Sequence, residues 1–215
     1  MRKTSYLIAF IAVLLTLVLN VLSIRRTNWL IVKTEVLNTK TTQYYGLTRL
    51  CERIVVRMPG MPEGSNIEYS DFKCRPFPAR VADACEEENR NFCVLWTTAG
   101  YLAELGAGFA VVSCLALVFG VSTRARRRRI WEAVAVLVAM HAISLIATFA
   151  IVTDTYSNAT FPIFDRARPG TAYVLGTVAW ILAVFATLGV AITGVAANRG
   201  HQWAAGNRAY TPIAG

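Results

Sequence analysis

The sequence predicts a membrane α-protein: a left-handed bundle of four transmembrane helices with a small extracellular antiparallel β-sheet and a short extracellular helix. Three observations point there. Four apolar runs are long enough to cross a bilayer, the excess basic charge falls on one side of them, and four of the five cysteines share one strand-rich loop. Only 16% of the residues are charged, where a soluble domain carries about a quarter. The chain reads as a single four-span membrane domain over residues 1–215.

The first span, 5–24 ("SYLIAFIAVLLTLVLNVLSI"), contains no charged residue. Arg2 and Lys3 precede it as they would precede a signal peptide, but its apolar run exceeds the roughly 7–15 residues of a cleaved signal. It is therefore expected to remain as a span. The second span, 94–121, contains Glu104 as its one charge. The third, 130–153, has Glu132 at its edge and His141 inside, and the fourth, 172–197, has no charge at all. Each meets the ~20 residues that cross a bilayer core.

Between the second and third spans lies "VSTRARRRRIW", with Arg124, Arg126, Arg127, Arg128 and Arg129. In isolation the run suits a nucleic-acid patch. Its setting argues otherwise. The N-terminus, the 122–129 turn and the 198–215 tail together carry nine basic residues and no acidic one, whereas 25–93 carries eleven basic and nine acidic. Positive charge gathers on cytoplasmic loops, so both termini and the arginine turn are expected in the cytoplasm. The arginines then anchor topology and attract anionic lipid of the cytoplasmic leaflet. No nucleic-acid partner is expected.

The loops 25–93 and 154–171 then face outside. Cys51, Cys74, Cys85 and Cys93 lie in the long one, and Cys114 lies within the second span. Four cysteines in an oxidising compartment read as two disulfides, with three possible pairings. No C-x-x-C or H-x-x-x-H is present, so no metal is expected. The stretches 28–37, 42–50, 51–58 and 66–74 are rich in Val, Ile, Tyr and Thr and read as strands. "MPGMPEGS" separates the last two as a turn. "ARVADACEEENRN" reads as a short helix leading into the second span.

Trp29 just after the first span, then Gly46 and Leu47 ahead of Cys51, with Cys74 further on, is similar to the Trp…Gly-Leu-x-x-x-Cys…Cys signature of the claudin superfamily. That superfamily includes claudins, peripheral-myelin proteins, calcium-channel gamma subunits and fungal claudin-like proteins. The four-span topology resembles the family along the whole chain. The resemblance implies a sheet over the bundle, a Cys51–Cys74 bridge between two strands, and Trp29 wedged between sheet and membrane boundary. Cys85 and Cys93 then form the second pair. Thr48 stands where many claudins have Trp, and the tail "YTPIAG" lacks the claudin C-terminal Tyr-Val. Both features point to a divergent, fungal-type member.

No catalytic signature is present: no phosphate-binding Gly-rich loop, no G-x-S-x-G, no zinc-protease helix. No enzyme activity and no cofactor are expected. Small residues recur every fourth position in the second span (Ala99, Ala103, Ala107; also Gly100, Glu104, Gly108) and the fourth (Ala183, Thr187, Ala191), as they do where helices pack closely. All three stripes read as bundle interior. Glu104, His141 and Thr16 fall at similar depths, which makes a Glu104–His141 hydrogen bond geometrically accessible. The expected role is a polar clasp between helices, or a neutral Glu104 facing a partner protein. A proton relay is the competing reading.

Asn158, Ala159 and Thr160 form a glycosylation sequon a few residues beyond the third span. Phe161, Pro162, Ile163 and Phe164 read as an exposed apolar tip that contacts a partner or the sheet. Together these features imply a non-enzymatic tetraspan protein of the plasma membrane. It would act as an auxiliary or organising subunit that binds other integral membrane proteins or itself. The alternatives are a sensor, channel or transporter using Glu104 and His141, and a cell-contact protein.

Overall fold

The computed structural model describes residues 3–36, 39–57, 68–86, 88–122, 124–158, 161, 164, 166–201 and 204. Helix α1 spans Lys3–Arg25. The strands β1 (Leu30–Val36), β2 (Thr39–Tyr45), β3 (Arg49–Arg57) and β4 (Glu68–Pro76) follow it. Helices α2 (Arg90–Ser122) and α3 (Arg124–Ser157), the short strand β5 (Ala167–Pro169) and helix α4 (Thr171–Asn198) complete the order. Each helix contains a stretch long and apolar enough to cross a membrane: Thr4–Arg25, Arg90–Gly120, Ile130–Ser157 and Thr171–Asn198. With an antiparallel sheet and two disulfides, this is the architecture of a multi-pass membrane protein.

The chain divides into two compact units. One comprises Met1–Asn20, Leu105–Ile146 and Val178–Gly215 and is helical in its described part apart from residues 199–201, which follow α4. Its core draws on all four helices: Tyr6 and Val13 from α1, Ala110 and Leu117 from α2, Val134 and Val138 from α3, Val190 from α4. Small residues let large rings in. A Cβ on Gly120 would stand 2.6 Å from the Tyr6 ring, and one on Gly194 would collide with the Trp131 indole.

The other unit, Val21–Glu104 and Ala147–Thr177, holds the sheet, in the order β4-β3-β2-β1-β5. All its pairings are antiparallel. Alternation sends Leu30, Val32, Tyr45 and Leu50 into a core shared with Phe92, Trp96, Ala99 and Ala103 of α2 and Val152 of α3. Six aromatic rings (Tyr45, Phe77, Phe92, Trp96, Phe161, Phe164) pack together there. Phe92 and Phe161 are stacked at 4.5 Å between centroids, and Tyr45 meets Phe77 and Phe164 edge-on at 5.1 Å.

Several sequence expectations need correction. Most of the 122–129 turn is helix: α2 ends at Ser122, and α3 starts at Arg124 and runs through the arginines, because Arg is a good helix former and no breaker interrupts the run. The side chains of Arg124 and Arg126–129 lie outside the described residues. Among the described residues no helix follows "RPFP" before Arg90, where α2 begins; 80–86 is a run of turns. Residues 42–50 are not one strand, since Gly46 to Thr48 form the bend between β2 and β3. Phe161 and Phe164 contact the sheet, one of the two contacts expected of them, but they are not exposed. They are 6% and 1% exposed, packed under the sheet. Pro162, Ile163, Ala159, Thr160, Arg2 and Arg208 lie outside the described residues.

Candidate functional site

The signature residues converge on one joint. Trp29 is 2% exposed. Its indole N–H donates to the Ser23 carbonyl at 2.9 Å, and its ring stands edge-on to Tyr173 of α4 at 6.1 Å. Gly176 lies beneath that ring, where a Cβ would come within 2.8 Å of it. Gly46 is held by its N–H donating to the Arg49 carbonyl at 2.8 Å, and its own carbonyl accepts from the Trp96 indole at 3.1 Å. A Cβ on Gly46 would meet the Thr27 Cα at 2.9 Å and the Arg49 oxygen at 3.0 Å. Leu47 is buried beside Trp96 in the same core. Cys51 and Cys74 are register partners on β3 and β4 and form a disulfide.

Sequence reasoning missed a second brace. The Arg75 guanidinium donates to both carboxylate oxygens of Asp83, at 2.7 and 2.6 Å. The Ala79 N–H donates to Asp83 at 2.6 Å. Burial works to raise the Asp83 carboxyl, but the Arg75 hydrogen bonds and the Ala79 N–H outweigh it and hold the group below the usual carboxylate value. The same bond with Asp83 pushes Arg75 up. Cys85–Cys93 closes this segment onto the start of α2. Burial also raises the Tyr45 phenol, whose hydroxyl donates to Gln43 at 2.8 Å. No sequence pattern marks Arg75 and Asp83, because their spacing becomes a pair only after β4 turns.

The polar intramembrane residues part company. His141 is fully buried. Its Nδ1 lies 2.8 Å from the Gly106 carbonyl and its Nε2 lies 3.3 Å from the Thr16 hydroxyl. A carbonyl only accepts, so Nδ1 carries a proton. In a neutral ring Nε2 then accepts, and the Thr16 hydroxyl is shared between Nε2 and the Val13 carbonyl at 2.8 Å. These bonds clasp α1, α2 and α3 together, but the Glu104–His141 bond expected from the sequence is not among them. Glu104 is exposed, with no hydrogen bond or ion pair among the described residues. Ala99 and Ala103 are buried as expected, whereas Glu104 and Gly108 point outward. In the fourth span Ala183 is buried and Thr187 and Ala191 are half-buried. Asn158 is exposed and donates to the Asp154 carboxylate at 2.8 Å.

Among the described residues no cluster of His, Cys, Asp or Glu could hold a metal ion. The chain is thus a multi-pass membrane protein with a disulfide-braced sheet, a polar clasp between helices, and an acid on the outer face of a span. No protein-family model matches it, and no curated protein matches it in a sequence search.

Proposed function

We propose that this chain is a claudin-like, non-enzymatic tetraspan protein of the plasma membrane that acts as an auxiliary or organising subunit. Both termini lie in the cytoplasm, and the sheet faces outside. Its partners are other integral membrane proteins or a second copy of itself. One observation carries the reading. Glu104 lies near the middle of the apolar Arg90–Gly120 stretch and is exposed, beside Tyr101 (69% exposed) and Leu105 (51%). An acidic side chain at mid-membrane costs about 3 kcal/mol against lipid, so a polar group on a partner helix would relieve it. Gly108, one turn along the same face, has no atom within 4 Å of a built Cβ, which leaves room for a neighbouring backbone.

The disulfides and the Trp29–Gly46–Cys51 joint support the claudin-like layout and an oxidising exterior. The relay reading lacks its motivating pair, because both His141 nitrogens are engaged by Gly106 and Thr16. The test is assembly of the full chain in mild detergent, resolved on native gels with co-purifying proteins identified. Glu104→Leu should leave abundance unchanged, since among the described residues Glu104 has no partner to lose, but dissolve the assembly. Glu104→Gln should retain it in part through its amide. An assembly that Glu104→Leu leaves intact overturns the reading.

A further inference from the structure

Two adjoining cavities on the outward face of the sheet have cationic walls. The first, of 520 Å³, is walled by Arg25, Arg26, Asn28, Tyr44, Arg53 and Phe72 among others. The second, of 630 Å³, has Lys33, Arg166 and Arg168 around Ile31. Register makes them neighbours: Ile31 is the partner of Tyr44 on one side and of Arg168 on the other, and Arg53 is the partner of Phe72. Neither wall includes an acidic side chain among the described residues. None of these six cations belongs to the ion pairs Lys40–Glu35, Lys73–Asp71 and Arg75–Asp83 found among the described residues.

Their place in the fold decides what they meet. Arg25 is the last residue of α1, and Pro169 stands just ahead of α4. Both cavities therefore open where two spans leave the membrane, at the level of lipid phosphates. Guanidinium groups match a phosphate with paired donors. Tyr44 and the exposed Phe72 suit the headgroup boundary. Asn28 adds a further feature: it lines the first cavity, and among the described residues its side-chain oxygen has no hydrogen-bond partner, which leaves an acceptor for a headgroup hydroxyl.

We propose that this face binds the phosphodiester of an anionic, hydroxyl-bearing phospholipid on the sheet side of the membrane, with Arg25, Arg26 and Arg53 holding the phosphate. The site is separate from the Arg124 to Arg129 run and does not depend on the auxiliary-subunit reading. It requires only that the helices span the membrane.

The experiment is native mass spectrometry of the full chain released from detergent, titrated with phosphatidylglycerol and, separately, with phosphatidylcholine. Wild type should prefer phosphatidylglycerol by about tenfold, the gain expected when several basic side chains meet a net negative headgroup. The triple variant Arg25→Gln, Arg26→Gln, Arg53→Gln changes only exposed side chains and should lose that preference. A variant with Gln at Arg126 to Arg129 should keep most of it, and the triple Lys variant should keep part. Intact disulfides and an unchanged helical signal show that each variant is folded. Loss of preference in the 126–129 variant alone would place the lipid at the other surface and overturn the proposal. Equal competition by soluble glycerol phosphate would reassign the site to a free anion. Tighter binding of a sulfated oligosaccharide, with lipid preference untouched by the triple variant, would reassign it to a glycan.

Discussion

Gly46→Ala tests the joint between sheet and helices. The added methyl would lie 2.9 Å from the Thr27 Cα and 3.0 Å from the Arg49 oxygen. Both are backbone atoms, so no side chain can swing away to accept it. Relief requires the β2–β3 bend to move, which strains the Gly46 N–H bond to Arg49 and the Trp96 indole bond to the Gly46 carbonyl. Overpacking costs roughly 1–3 kcal/mol, and a buried donor left without its acceptor costs about 1–3 kcal/mol. A loss near ~3 kcal/mol is expected when the two partly overlap. Gly189→Ala is the control, because nothing lies within 4 Å of its Cβ. It is helical and exposed, so the same methyl should be neutral or stabilise by up to about 1 kcal/mol. The assay is equilibrium unfolding in mixed micelles, with Trp fluorescence reporting Trp29 and Trp96 and non-reducing mass mapping reporting Cys51–Cys74. A Gly46→Ala variant within about 0.5 kcal/mol of wild type would refute the close approach on which the joint is built.

Two further outcomes follow from the braces. Asp83 has a lowered folded-state value, so its contribution is complete above the unfolded value of about 3.9 and is lost as pH falls through the lowered one. Arg75→Gln removes the main opposing cause and leaves burial to raise the carboxyl. Acid loss of the sheet, followed by circular dichroism, should therefore begin at higher pH in that variant; equal acid midpoints would show that the pair contributes nothing. At His141, Leu preserves volume and gives up two hydrogen bonds, which in membranes average about 0.6 kcal/mol each. Ala instead opens a cavity, with losses of the size seen for large-to-small core changes, about 2–5 kcal/mol. Unfolding free energies for His141→Leu and His141→Ala that coincide would mean that the clasp, rather than packing, dominates.

The sequence alone determined the four spans, because a bilayer demands a long uninterrupted apolar run and hydropathy records length directly. It also located most of the sheet, since β-branched and aromatic residues cluster at 28–37 and 51–58 between turn signals. Strand β5 escaped notice: "ARP" has no strand character and pairs only because the edge of β1 lies beside it. The faces of the helices were equally hidden. A span is apolar both where it packs and where it meets lipid, so periodicity does not separate the two sides. Sequence spacing put Glu104 in one stripe with Gly100 and Gly108, yet Gly100 packs near the Leu47 carbonyl while Glu104 and Gly108 point outward. Likewise Phe161 and Phe164 look exposed beside a sequon and are core, because Tyr45 and Phe92 come from distant segments to cover them. Only the tertiary structure sorts an apolar residue into core or lipid face, since that choice depends on which other element arrives against it.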